Sequence, residues 1–294
     1  MKKGVLAALS AYLLWGFFPI YWKSIHTVPA FEILCHRVVW SMLFLIIILS
    51  LRKHWKWLRP ALAVPKTILP FVASAFILAG NWLTYIWGVN SGHIVETSLG
   101  YFINPLVNVL LGVVFLKERL RKIQWFSIAM AFAGVLYLTF QYGQFPWIAL
   151  TLAFSFGFYG LIRKTARLSS LEGLSVEMAI LFIPALFFIF YFESQGSGSF
   201  LTGNVITKTL LPVSGLVTSI PLLLFAFGAR NITLTTLGLL QYVAPTLQLM
   251  VGVFIYMESF PQTRMIGFTF IWIALLIYSV EGVWVAKSSR NKKL

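Results

Sequence analysis

The amino-acid sequence predicts an all-α membrane protein of ten transmembrane helices, built as two inverted five-helix repeats. Three observations carry that prediction. Of 294 residues, 59% are hydrophobic and only 11% charged, with a mean hydropathy of +0.86; a soluble domain carries about 25% charged residues. The apolar residues gather into ten stretches near the roughly 20 residues that a helix needs to cross a bilayer. A pattern of proline, glycine and glutamate recurs at an offset of 140 positions.

The first span is 4–22. Its opening, Met1-Lys2-Lys3 before an apolar run, has the character of a signal peptide. The run from Gly4 to Trp22 is nevertheless longer than the roughly 7–15 residues of a signal h-region, and no A-x-A-like cleavage site follows. Spans 32–51, 67–88, 94–116 and 123–140 complete a first unit, 1–142. Spans 146–162, 173–192, 209–228, 232–256 and 265–285 make a second, 143–286, followed by a basic tail, 287–294. The Ser- and Gly-rich stretch 194–208 reads as the one flexible loop of any length.

Charge orients these spans. The net charge is +15, from 23 Lys and Arg against eight acids, all of them Glu. With the N-terminus inside, nineteen cations fall on cytoplasmic segments and only Lys23, Lys208 and Arg264 on outer loops, as expected when short cytoplasmic loops retain Lys and Arg. Both termini are therefore predicted to be cytoplasmic, and the basic side faces anionic inner-leaflet lipids. Cations scattered between apolar runs do not form the basic face that binds nucleic acid. The remaining cation, Arg37, lies inside a helix.

The repeat aligns Pro105, Gly112 and Glu118 with Pro245, Gly252 and Glu258, so that P-x6-G-x5-E occurs at the fourth helix of each unit. Because five is odd, the second unit enters the membrane from the opposite side. Inverted repeats of this kind are a recurrent device of secondary transporters, whose halves exchange conformations around a midplane site.

Several segments resemble a known family. Lys117-Glu118-Arg119-Leu120 closing the fourth helix, with its echo Met257-Glu258-Ser259-Phe260, is similar to the drug/metabolite transporter superfamily, EamA type. The opening Ala11-Tyr12-Leu13-Leu14-Trp15-Gly16-Phe17-Phe18-Pro19, the run Glu32-Ile33-Leu34-Cys35-His36-Arg37 and the run Gly80-Asn81-Trp82-Leu83-Thr84-Tyr85 resemble its RarD-like branch. The resemblance spans nearly the whole chain. It implies a ten-helix carrier of the bacterial inner membrane and leaves the substrate open.

Ionisable groups inside a bilayer cost about 2.5–3.5 kcal/mol each and mark functional sites by default. Arg37 is expected to engage Glu96 or an anionic substrate, or else to form an ion pair fixing the second helix against the fourth. His36, His93, Glu96 and Glu177 are candidates for proton coupling or ion pairing; Glu177 sits at the repeat position of Arg37. A polar stripe on the fourth helix, Tyr101, Asn104 and Asn108, is matched on the ninth by Gln241 and Gln248, around the helix-bending Pro105 and Pro245. These stripes read as two walls of one cavity or as interhelical glue. Trp15 and Trp82 are candidates for stacking a flat substrate. Glu118 and Glu258 are expected to act as local caps, Glu118 pairing with Arg121 or Lys122.

No enzyme, cofactor or metal site is expected. The sequence contains no Asp, no G-x-x-x-x-G-K-[ST], no H-E-x-x-H and no G-x-S-x-G, and the lone Cys35 precludes a multi-cysteine metal site. The expected function is a secondary carrier of small, partly apolar organic compounds, exporting by alternating access, with protons as a candidate coupling ion. A facilitator or exchanger, an uptake carrier, and a non-transport scaffold or lipid-handling protein are the alternatives.

Overall fold

The computed structural model describes residues 2–91, 93–257 and 262–291. Glu258 and the last three residues of the tail lie outside them. The described chain is helical, with ten long elements: α1 Lys2–Gly16, α2 Ala30–Leu51, α3 Pro65–Asn90, α4 Ile94–Leu116, α5 Lys122–Tyr142, α6 Trp147–Thr165, α7 Ser170–Ser194, α8 Val205–Asn231, α9 Leu234–Gln241 continued by Val243–Met250, and α10 Gln262–Asn291. Large apolar side chains are exposed on the outside, among them Phe140, Ile183, Phe190 and Val280. Surface of that kind is stable against lipid and not against water.

Among the described residues, nine helices are long and apolar enough to cross a membrane. The exception is α6. It has 19 residues and ends in Arg163 and Lys164, with Thr151, Ser155, Gly157, Tyr159 and Gly160 in its body. Its polarity has a packing reason, since Gly157, Tyr159, Gly160 and Arg163 are all buried where it meets α3, α4 and α8.

Two predicted spans are interrupted. The first breaks after Gly16 and resumes as a short helix, Phe18–Lys23. Pro19 lacks an amide, so the carbonyl four residues back, at Trp15, has no helical donor. The ninth breaks at Tyr242, just before Pro245, and closes in a π-helical turn, Val251–Ile255. Within the predicted loop 194–208, a one-turn helix forms at Ser199–Thr202. The tail is helical as far as Asn291.

Helix contacts recur when helix numbers are shifted by five. α1 packs on α8 as α6 packs on α3, α4 on α6 as α9 on α1, and α2 on α8 as α7 on α3; α2–α7, α4–α9 and α5–α10 are pairs that map onto themselves. The α4–α9 crossing is close because Gly238 lies against Pro105, where a Cβ would sit 2.6 Å from the Pro105 carbonyl oxygen. The main core, with Tyr12, Leu45, Tyr159, Phe225 and Leu237, lies between these pairs. α5 and α10 close one side through a second cluster around Val135, Tyr242 and Ile271.

Candidate functional site

A cavity of about 200 Å³ opens between α1, α2, α3, α4, α6, α8 and α9. Its lining contains Trp15, Arg37, Trp82, Tyr101, Asn104, Gln241, Gln248 and Pro245. The structure thus brings together most of the residues singled out in the sequence. Asn108 lies one turn deeper, where its Nδ2 donates to Gln241 Oε1 at 2.9 Å and to Asn104 Oδ1 at 3.2 Å, so it supports the wall without lining it.

Three of the wall amides are engaged with backbone. Gln248 Nε2 donates to the Trp15 carbonyl at 3.0 Å, the acceptor that Pro19 leaves free. Asn104 Nδ2 donates to the Ala153 carbonyl at 2.6 Å and Asn81 Nδ2 to the Leu152 carbonyl at 3.0 Å. Amides in hydrocarbon are costly unless bonded, and here each donor fastens a cavity helix to its neighbour. Near Pro105, the Tyr242 hydroxyl donates to the Phe102 carbonyl at 3.2 Å.

Arg37 projects into the cavity from α2. Its Nε donates to Thr218 Oγ1 on α8 at 2.9 Å. Its guanidinium carbon lies 4.2 Å from the centroid of Trp82 and 4.9 Å from that of Trp22, close enough for cation–π attraction. Among the described residues Arg37 makes no ion pair. The expected contact with Glu96 is not formed: the Glu96 carboxylate accepts from the Ile148 amide at 2.7 Å and so caps the start of α6.

The other ionisable candidates lie away from the cavity lining. Glu177 Oε1 accepts from Ser74 Oγ at 2.5 Å and lies 3.4 Å from Arg163 Nη1, while Tyr159 donates to Oε2 at 3.3 Å. Both ends of that pair are completely buried. His36 takes a hydrogen bond from Trp40 Nε1 at 3.2 Å, and its Nε2 lies 3.8 Å from Glu32. His93 is exposed and stacks on Trp87.

Glu118 does not pair with Arg121 or Lys122. It accepts from the Leu234 and Thr235 amides that open α9, while Arg121 forks onto Glu281. That pairing holds the Arg121 guanidinium above its ordinary pKa.

The EamA-like transporter family matches residues 2–140, which hold almost all of the first five long helices. Protein RarD of Streptomyces exfoliatus is 43% identical over 99% of this chain and 92% of its own. The chain belongs to the EamA-like transporter family. An uncharacterized transporter of Vibrio cholerae is 40% identical, covering 99% of this chain and 97% of its own. A crystal structure superposes on the EamA-like bundle with a TM-score of 0.71, covering 97% of this chain and 99% of that one at 18% identity, which shows a shared fold. The protein is a multi-pass membrane transporter of the drug/metabolite type.

Several lining residues of this EamA-like cavity had no singular sequence signal. Tyr85 lies one turn from both Asn81 and Trp82 by spacing alone, and Tyr12, Pro19 and Trp22 flank Trp15. Thr218 is one hydroxyl in a helix with several others. Only its contact with a helix more than 180 positions away in sequence marks it.

Proposed function

We propose that the protein is a secondary carrier of small, partly apolar organic compounds. It exports them by alternating access between two inverted five-helix units, 1–142 and 143–286, in the bacterial inner membrane. Trp15, Arg37, Trp82, Tyr101, Asn104, Gln241 and Gln248 line the pathway, with Asn108 behind them, and Pro105 and Pro245 allow the central helices to bend. The observation that carries this reading is the cavity itself, enclosed by helices of both units and walled by aromatics with a few placed polar groups. The exchange of helix contacts on a shift of five supports two equivalent halves, as rocking around a fixed midplane site requires. α6 counts as the tenth span in this reading. The cation distribution favours both termini inside, next to anionic lipid.

The test is solute flux in liposomes reconstituted with the purified protein, with and without a pH gradient. Saturable flux supports the carrier, and its absence over a broad panel favours a scaffold or lipid-handling role. A second reading, an exchanger or facilitator without proton coupling, is favoured by one observation. Among the described residues that line the cavity there is no carboxylate and no imidazole. Flux that is unchanged by the gradient supports this version over proton coupling.

A further inference from the structure

The described acids have partners elsewhere. Glu32 accepts from Ser199 and Glu193 from the Phe200 and Leu201 amides. Glu172 is held by Ser169 and His54, and Glu281 by Arg121. Glu96, Glu118 and Glu177 are bound as described above. None of them lines the cavity. Arg37 therefore brings a full positive charge to a low-dielectric chamber that supplies no counter-charge among the described residues. A partly buried charge of that kind gains from an opposite partner.

The geometry around Arg37 leaves its fork available. The Nε is taken by Thr218, and Trp22 and Trp82 lie against the guanidinium. Neither Nη has a hydrogen-bond partner among the described residues. A guanidinium fork matches a carboxylate in a bidentate manner. Nearby, Tyr12 lines the same cavity fully buried, with a hydroxyl that has no partner among the described residues. The lining also contains Trp15, Trp82 and Phe156 as flat apolar surfaces.

We infer that the transported compound is an organic monoanion: one carboxylate paired with Arg37, on a flat apolar body packed among these aromatics. This rests on the carrier reading above and narrows its substrate class. A monoanion fits better than a phosphate dianion, because Arg37 is the one cation in the lining and a second negative charge would stay uncompensated. At about 200 Å³ the chamber is smaller than the roughly 300–1,000 Å³ pockets of drug-sized ligands, so a body of one ring suits it.

Three probes of one shape and different charge test this: phenylacetate, phenylacetamide and phenethylamine. They are titrated at neutral pH into purified protein, following tryptophan fluorescence, since Trp15, Trp22 and Trp82 line the chamber. Phenylacetate is expected to bind about tenfold or more tighter than the amide or the amine. Arg37→Gln should remove that preference, so that phenylacetate binds no tighter than the amide, and Arg37→Lys should keep part of it. Equal binding of the amide or the amine, a preference that survives in Arg37→Gln, or no saturable binding of phenylacetate overturns the inference. If Arg37→Gln loses its gel-filtration peak, Arg37→Lys and the three-probe comparison in the natural protein decide. Liposome counterflow of the same probes separates this inference from the carrier reading. Movement of the amide or amine without phenylacetate keeps the carrier and overturns the anion. Arg37-dependent binding of phenylacetate without movement of any probe supports the anion site and counts against the carrier.

Discussion

Glu118, beyond the end of α4, holds the start of α9 through Thr235. Its Oε2 accepts from the Thr235 amide at 2.9 Å and from the Thr235 hydroxyl at 2.7 Å, and its Oε1 takes the Leu234 amide at 2.6 Å. The first amides of a helix lack helical acceptors, and the helix dipole favours a negative charge there. Glu96 at α6 and Glu32 at the one-turn helix Ser199–Thr202 make the same kind of link between distant parts of the chain.

Glu118→Gln is expected to lower stability by about 1–2 kcal/mol, measured as denaturant unfolding in detergent. Thr235→Val should cost less, since it removes the hydroxyl and keeps the amide. The double variant should cost less than the two singles together. Simple additivity would show that the two groups act separately.

Arg163 and Glu177 form a buried pair whose disruption leaves an uncompensated charge. Arg163→Met and Glu177→Leu are each expected to cost about 3–5 kcal/mol, with the double apolar variant costing less than either single one. Unfolding midpoints of the three variants check this. A double variant worse than both singles would mean that the pair itself, with its Ser74 and Tyr159 hydrogen bonds, is the stabilising unit.

Gln248 and Pro19 form a complementary pair around one carbonyl. Gln248→Leu should cost about 1–3 kcal/mol, because the Trp15 carbonyl then has neither a helical nor a side-chain donor. Pro19→Ala restores an amide at the right position. In the Gln248→Leu background it should therefore recover stability, read as a rise in the unfolding midpoint. No recovery would assign the role of Gln248 to the cavity wall alone.

Gly215 lies where α8 packs against α2. A Cβ there would sit 2.6 Å from Trp40 Cβ, and Ser41 Oγ donates to the Gly215 carbonyl at 3.2 Å. Gly215→Val should destabilise by about 1–3 kcal/mol through overpacking, seen as lower thermal stability in detergent. Gly80, with no heavy atom within 4 Å of its Cβ direction, should accept alanine with little change.

Apolar run length is a local property, so residue order alone located the helices to within a few positions. The breaks at Phe17 and Tyr242 were not placed, although Pro19 and Pro245 lay next to them. A proline leaves open whether a helix bends, as α3 does not break at Pro70, or divides. The polar stripes on α4 and α9 were legible because their spacing is periodic. The roles of the acids were not. Glu96 finds its partner 52 positions away and Glu118 at 116 and 117, and no local pattern encodes a partner at such distances. Arg37 stood out as the one cation away from a loop. Its neighbours Thr218 and Trp22 come from α8 and the short helix after α1, and only the folded bundle brings them to it.

The engagement of Asn81, Asn104 and Gln248 with backbone carbonyls has a consequence for selectivity. A pocket whose amides project free donors demands a matching arrangement of functional groups, and it rejects analogues that lack one of them. Here Asn81, Asn104 and Gln248 each commit an amide donor to the scaffold, so in the carrier reading proposed above shape, ring stacking and the Arg37 guanidinium carry more of the recognition than these amides do. Such a chamber sorts compounds by outline and by the sign of their charge. Under that reading it would tolerate more variation in the remaining substituents than a pocket of free amide donors.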